Sequence, residues 1–119
     1  MKPFECDMCG EKALSRDAVI RWHADREKNS VDSLQIVHNN KICNYRGKSG
    51  YFNRELPLEY VFKYMPEFIF YINRFNVDEK KFKKFVYRIE KERSYIRRFN
   101  VDKKVVKKLI IRLDGLDSG

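Results

Sequence analysis

Three cysteines and one histidine carry the clearest chemistry in this chain. Cys6-Asp7-Met8-Cys9-Gly10 sets two thiols two residues apart and ahead of a glycine, the spacing of a tight knuckle in which both sulfurs reach one ion. His38-Asn39-Asn40-Lys41-Ile42-Cys43 supplies a second pair of soft donors, after a span long enough for a hairpin. Four nitrogen and sulfur ligands in two pairs are what tetrahedral zinc requires, and a closed set of four leaves no position open for a substrate. Cys6, Cys9, His38 and Cys43 are therefore expected to hold one structural Zn2+. His23 is the other imidazole. It could stand in for His38, but it lies mid-strand with no cysteine beside it, and an ordinary hairpin role fits it better.

The same residues argue against an enzyme. All three cysteines are spent on metal, and no Ser-His-Asp or Cys-His set is left over. Gly47-Lys48-Ser49 has the ending of a phosphate-binding P-loop, but Ile42 stands where the first glycine is needed. His38-Asn39-Asn40 invites comparison with metal-dependent HNH nucleases, which need a further histidine on a following helix. No histidine follows His38. Glu90 and Glu92 sit among basic residues and read as ion-pair partners.

Two elements must position the ligands. Ala18, Ile20, Trp22 and Ala24 alternate with Val19, Arg21 and His23, the period-two pattern of a half-buried strand, with Trp22 as a core plug. A polar turn from Asp25 to Ser30 precedes a returning strand from Val31 to His38, on which Leu34, Ile36 and His38 share a face. The order of knuckle, hairpin and second ligand pair at a strand end resembles treble-clef and zinc-ribbon modules over residues 4 to about 50. Such modules often bring a helix directly after the second pair. Here residues 44–50 read as a loop.

From Leu56 the pattern turns helical. Leu58, Val61, Phe62 and Met65 recur at helical spacing after Pro57, and Pro66 ends that run and opens a second helix to Phe75. The segment from Tyr71 to Lys81 then returns 24 positions later, from Tyr95 to Val105. Across residues 71–89 and 95–113, 11 of 19 positions are identical, too many for two unrelated helices. Each copy reads as a helix, an Asn-Val-Asp turn and a basic helix. Asn76 and Asn100 can take the left-handed helix-ending conformation, Asp78 and Asp102 can cap the next helix, and Val77 and Val101 can act as staples. A break near Arg93-Ser94 is compatible with the pattern. The expected fold class is α+β: a small zinc-stabilised β-hairpin module over 1–55, then a basic helical region over 56–119 with a duplicated helix-turn-helix-like unit on a 24-residue repeat.

Net charge points to a partner. The chain carries +9, and 16 Lys and Arg against 6 Asp and Glu fall between Tyr60 and Leu113, so nearly all the excess lies on the helical half. Phe82, Phe85, Val86 and Ile89 form one helical stripe, with Lys80, Lys81, Lys84, Arg88 and Lys91 opposite. Val105, Val106, Leu109, Ile110 and Leu113 repeat the stripe, with Lys103, Lys104, Lys107, Lys108 and Arg112 in the other sector. One such face is ordinary solvated surface; two in register can track successive phosphates. Arg46 and Lys48, interleaved with Tyr45, Tyr51 and Phe52, could stack on unpaired bases or grip a backbone, although a linker whose aromatics tuck into the core between the two halves fits the loop at least as well.

These features lead to a nucleic-acid-binding protein of weak sequence specificity, with the helix-turn-helix-like connection favouring DNA over RNA. The competing expectation is a protein-binding adaptor or inhibitor of the compact kind carried by bacteriophages and other mobile elements. It would set Tyr60, Phe62, Tyr64, Phe68, Phe70, Tyr87 and Ile111 against an acidic protein surface. Basic helices lying on anionic lipid fit less well, because their apolar faces are consumed by the core. With no secretory h-region, no apolar run long enough to span a bilayer and an odd cysteine count absorbed by metal, the chain is expected in the cytoplasm.

Overall fold

The computed structural model describes residues 4–45, 50–92 and 103–115. Arg46 and Lys48, the expected break at Arg93-Ser94 and the second Asn-Val-Asp turn lie outside them. The architecture is mixed α+β, with two small antiparallel sheets and four helices among the described residues.

Strands β1 (Phe4–Glu5) and β2 (Lys12–Ala13) pair around the Cys6–Cys9 knuckle. A short 3-10 turn over Ser15–Asp17 leads into β3 (Ala18–Asp25), and β4 (Ser30–His38) returns antiparallel to it. The expected hairpin is present. A third strand, β5 (Arg54–Pro57), pairs with the other edge of β3 and gives the order β4-β3-β5. Its sequence, Arg-Glu-Leu-Pro, has no strand signature of its own, since Leu56 is its only buried apolar residue, beside a buried Arg54. Pairing to an otherwise open edge makes it a strand. The composition change near residue 55 falls inside β5.

Central placement changes the burial of β3. Alternation predicts one wet face, but Ala18 through Trp22 are all buried. Ala18, Ile20 and Trp22 enter the main core, while Val19 joins Val37, Cys6 and Cys43 in a second, smaller cluster. Arg21 is buried with them. Its Nε and Nη2 donate to Gln35 Oε1 at 3.0 and 2.9 Å, its Nη1 donates to the Tyr45 carbonyl, and its guanidinium lies 3.9 Å from the centre of the Phe52 ring. Those partners compensate a cation that burial alone would not tolerate.

The hairpin is also irregular. Arg21 pairs with Gln35 but His23 pairs with Asp32, so β4 carries one extra residue, and Ser33 takes up the bulge at φ 62°.

Helices α1 (Leu58–Lys63) and α2 (Met65–Ile72) meet at Tyr64, with Pro66 in the first turn of α2, where its missing N–H costs nothing. Helices α3 (Glu79–Glu92) and α4 (Lys103–Gly115) follow, α4 packing on α2. Asp78 caps α3 as expected, its Oδ1 accepting the Lys81 N–H at 3.0 Å, and Val77 packs against the core. Asn76 does something else. It is not left-handed: it bridges to Ser30, donates its N–H to the Asn29 carbonyl at 2.8 Å and its Nδ2 to the Lys28 carbonyl at 2.9 Å, and accepts the Val31 N–H at 2.9 Å. The chain between α2 and α3 is thereby stitched to the turn of the hairpin.

One apolar core takes residues from both sides of β5. Phe68 joins them: its ring sits edge-on to Trp22 at 5.8 Å and 6.4 Å from Phe82, and it is fully buried. Phe68→Ala should cost about 3–5 kcal/mol. In a urea titration Trp22 fluorescence and helical circular dichroism should shift together to lower denaturant. Separate transitions would mean that sheet and helices do not share a core.

Candidate metal centre

The ligand atoms of Cys6, Cys9, His38 and Cys43 all lie within 4.8 Å of one another. The three cysteines are free thiols, not bridged to each other. His38 Nδ1 is 3.4 Å from Cys9 Sγ and 3.6 Å from Cys43 Sγ. The cluster is compatible with one metal ion held by three sulfurs and one nitrogen. His23 is not part of it. Its ring stacks on Tyr51 with centroids 4.3 Å apart, and its Nδ1 meets the Tyr51 carbonyl at 2.6 Å.

Local backbone chemistry places each ligand. In the knuckle, the Cys6 N–H donates to the Glu11 carbonyl at 2.8 Å and the Gly10 N–H to the Cys6 carbonyl at 2.9 Å. Gly10 sits at φ 77°, a conformation that side chains disfavour, which is why glycine follows Cys9. The Met8 and His38 N–H groups both point at Cys6 Sγ, 3.4 Å away. Burial raises the Cys6 thiol, but hydrogen bonds from the backbone of Cys9, His38 and Met8 more than offset it and bring it down to about 6. Burial, with the other two sulfurs alongside, pushes Cys43 up to about 11. A cation bound among the sulfurs would reverse that second effect.

His38 is oriented from behind. Its Nε2 lies 3.0 Å from the Lys12 carbonyl, which can only accept, so Nε2 carries the proton and Nδ1 turns its lone pair toward the sulfurs. That contact, ahead of the opposing effect of burial, raises the histidine's pKa. Cys43 depends on Asn40, whose Oδ1 accepts the N–H groups of Ile42 at 3.0 Å and Cys43 at 2.7 Å. This side-chain turn is closed by the Asn44 N–H on the Asn40 carbonyl at 2.9 Å.

Asp7, between the two knuckle cysteines, is the positioning residue that spacing alone does not reveal. Its N–H donates to the Ile36 carbonyl at 2.7 Å, and its Oδ2 accepts the Ile36 N–H at 2.7 Å. Arg88 Nη1 reaches both of its carboxylate oxygens at 3.0 Å, while Nη2 donates to the Glu5 carbonyl. One carboxylate therefore ties the knuckle to β4 and to α3. The only sequence hint is its place between the cysteines, and its partner lies 81 residues away.

The basic candidates divide. Lys80, Lys81 and Lys84 on α3 and Lys104, Lys107 and Lys108 on α4 are exposed. Arg88 is turned inward onto Asp7 and Glu5, and Arg112 lies over the Tyr60 ring at 5.8 Å. The side chain of Lys103, like Arg46 and Lys48, lies outside the described residues. Among the aromatics, Phe70 and Tyr87 are exposed, as is Ile111; Tyr60, Phe62 and Tyr64 are half-buried, and Phe68 is lost to the core. No helix among the described residues is long and apolar enough to cross a membrane.

Comparison with protein-family models, with curated proteins and with solved structures finds no match for this chain.

Asp7→Ala should weaken metal binding about 10- to 100-fold, the usual loss when a support of the ligands is removed. Competition against a chromophoric chelator reads the affinity directly. An unchanged constant would show that the ligands hold their geometry without Asp7.

Proposed function

We propose that this chain is a small zinc-stabilised nucleic-acid-binding protein, with DNA favoured, in which the metal centre is structural and the helices meet the phosphates. The metal assignment rests on geometry and donor type. Zinc–sulfur bonds of about 2.3 Å and zinc–nitrogen bonds of about 2.0–2.1 Å at tetrahedral angles give a sulfur-to-nitrogen edge of about 3.6 Å. The edges from His38 Nδ1 are 3.4 and 3.6 Å. Four protein ligands also fill a tetrahedron, which leaves no open position and supports a structural ion over a catalytic one.

One observation carries the binding reading: α3 and α4 both turn apolar residues inward and lysines outward. Phe82, Phe85 and Ile89 of α3 and Val106, Leu109 and Leu113 of α4 are buried, while seven lysines of the two helices, Lys83 among them, are exposed. The apolar faces are consumed by the core, which leaves charge as the surface the helices offer. Backbone phosphates are the partner that such spaced cations attract without base specificity. The adaptor reading keeps one supporting observation, the exposure of Phe70 on α2, Tyr87 on α3 and Ile111 on α4, but on α3 and α4 exposed lysines outnumber exposed apolar residues.

Elemental analysis of protein purified without added metal should return one zinc per chain, and chelation should loosen the knuckle and the Asn40 turn first, since Cys6 and Cys43 lie in the smaller cluster while the hairpin shares the main core with the helices. Binding to a labelled DNA, followed by fluorescence anisotropy, should weaken about 1,000-fold between 50 and 200 mM salt if six phosphates are contacted. Replacing Lys80, Lys84, Lys104 and Lys108 by Glu should abolish it. Salt-independent binding, or full affinity in the fourfold variant, would remove the phosphate reading and leave the adaptor.

A further inference from the structure

A cleft of about 660 Å3 opens between β4 and α3, within the range of about 300–1,000 Å3 usual for small-ligand sites. Three kinds of surface meet in it. Leu34, Val77 and Phe85 give it an apolar floor, and Lys81 and Lys84 stand on the α3 wall. Both lysines are exposed, and neither pairs with a carboxylate among the described residues. The β4 side holds Asp32 and the ring of Tyr51.

That ring is clamped. One face stacks on His23, Phe52 meets it edge-on at 5.1 Å, and its hydroxyl donates to Asp32 Oδ1 at 2.7 Å and lies 2.9 Å from Ser33 Oγ. In a regular strand Asp32 and Ser33 would point to opposite faces. The bulge at Ser33 lets both reach the same hydroxyl. Burial works to raise the Asp32 carboxyl, but the Tyr51 and Ser33 hydrogen bonds prevail and hold it below the usual range, so it is ionised at neutral pH.

The mixture of surfaces selects the occupant. Inorganic phosphate would use the lysines and waste the apolar floor. An acidic peptide would meet a fixed carboxylate of its own sign. A nucleotide unit uses all three surfaces: phosphate on the lysines, base over the apolar floor and against Tyr51, and amino donors of the base toward Asp32. A base stacked within a duplex cannot reach that floor without being extruded. We propose that this cleft receives one unpaired base of a single-stranded nucleic acid, with its phosphate on Lys81 and Lys84. The inference rests on the nucleic-acid reading above and adds strandedness and a seat for the base.

The test compares fluorescein-labelled 12-residue DNA and RNA strands with a DNA duplex of the same sequence, on the full chain loaded with zinc. At least one single strand should bind at least tenfold more tightly than the duplex, and the better of the two identifies the sugar preferred. Tyr51→Ala should weaken single-strand binding by about 5- to 150-fold, the loss of one stacked base, and leave duplex binding unchanged. Lys108→Glu, on α4, should weaken strand and duplex alike. Because Tyr51→Ala could loosen the loop, photocross-linking of unaltered protein to an iodouracil strand provides a second readout, with adducts expected on Tyr51 or Phe85. Equal affinity for strand and duplex, with adducts on α4 only, would overturn the cleft assignment and leave the basic-helix reading standing. Absence of binding to every nucleic acid would overturn both.

Discussion

The structure depends on covering both faces of a single strand. Because β3 lies between β4 and β5, neither edge nor face is free, and its residues from Ala18 to Trp22 are all buried. One face has the aromatic and aliphatic core beneath it. The other has two valines, two cysteines and a guanidinium. Two buried valines contribute about 3–6 kcal/mol between them, too little to hold the knuckle, the hairpin end and the Asn40 turn in one arrangement. Four ligands converging on an ion would supply the missing cohesion, since metal binding to such a set is itself folding free energy. Arg21 belongs to the same account. Burial disfavours its charge, and the neighbouring Cys6, Asp7, Cys43 and Glu55 compensate in part. Three thiolates around a divalent cation would leave one net negative charge, which a buried guanidinium beside them would balance.

The Cys6, Cys9, His38 and Cys43 cluster was legible because its members fall in two closely spaced pairs. Two residues between Cys6 and Cys9, a glycine after them and a pair closed by Cys43 constrain the chain locally, so sequence displays them. The hairpin was legible for a similar reason, as alternation registers at short range. Tertiary decisions were not. Arg54–Pro57 becomes a strand only because β3 has an open edge, and Asn76 leaves the expected left-handed turn because the hairpin offers it Asn29, Lys28 and Val31 as partners. Arg88 shows the same limit. Helical periodicity assigns it to the solvent face with Lys84, yet it is half-buried on Asp7, a residue no local pattern connects to it. The bulge at Ser33 likewise leaves no trace, since serine has no special liking for positive φ.

The lysine-rich faces belong to a different class of inference. Periodicity correctly separates Phe82, Phe85 and Ile89 from Lys80, Lys81 and Lys84, and the burial of one set and exposure of the other follows. What the exposed set meets is a matter of charge and spacing, not of fold. Duplication sharpens it only as far as the copies are seen to be alike, and residues 93–102, which join them, lie outside the described part of the chain.

The Asp7–Arg88 pair connects the two inferences physically. Partly exposed, it contributes about 1 kcal/mol or less to stability, so its value must lie in position. Asp7 lies within the knuckle between Cys6 and Cys9 and is hydrogen-bonded through both its N–H and its carboxylate to Ile36, which leaves that carboxylate little freedom. Arg88 sits one turn along α3 from Lys84 and two from Lys81. A forked contact at one end of the helix therefore adds to the buried Phe82, Phe85 and Ile89 in setting the rotation at which those lysines face the cleft. The knuckle is thereby joined to the basic wall through one guanidinium, and in the proposed reading that second attachment would help keep two cations and an apolar floor aligned for a single ligand.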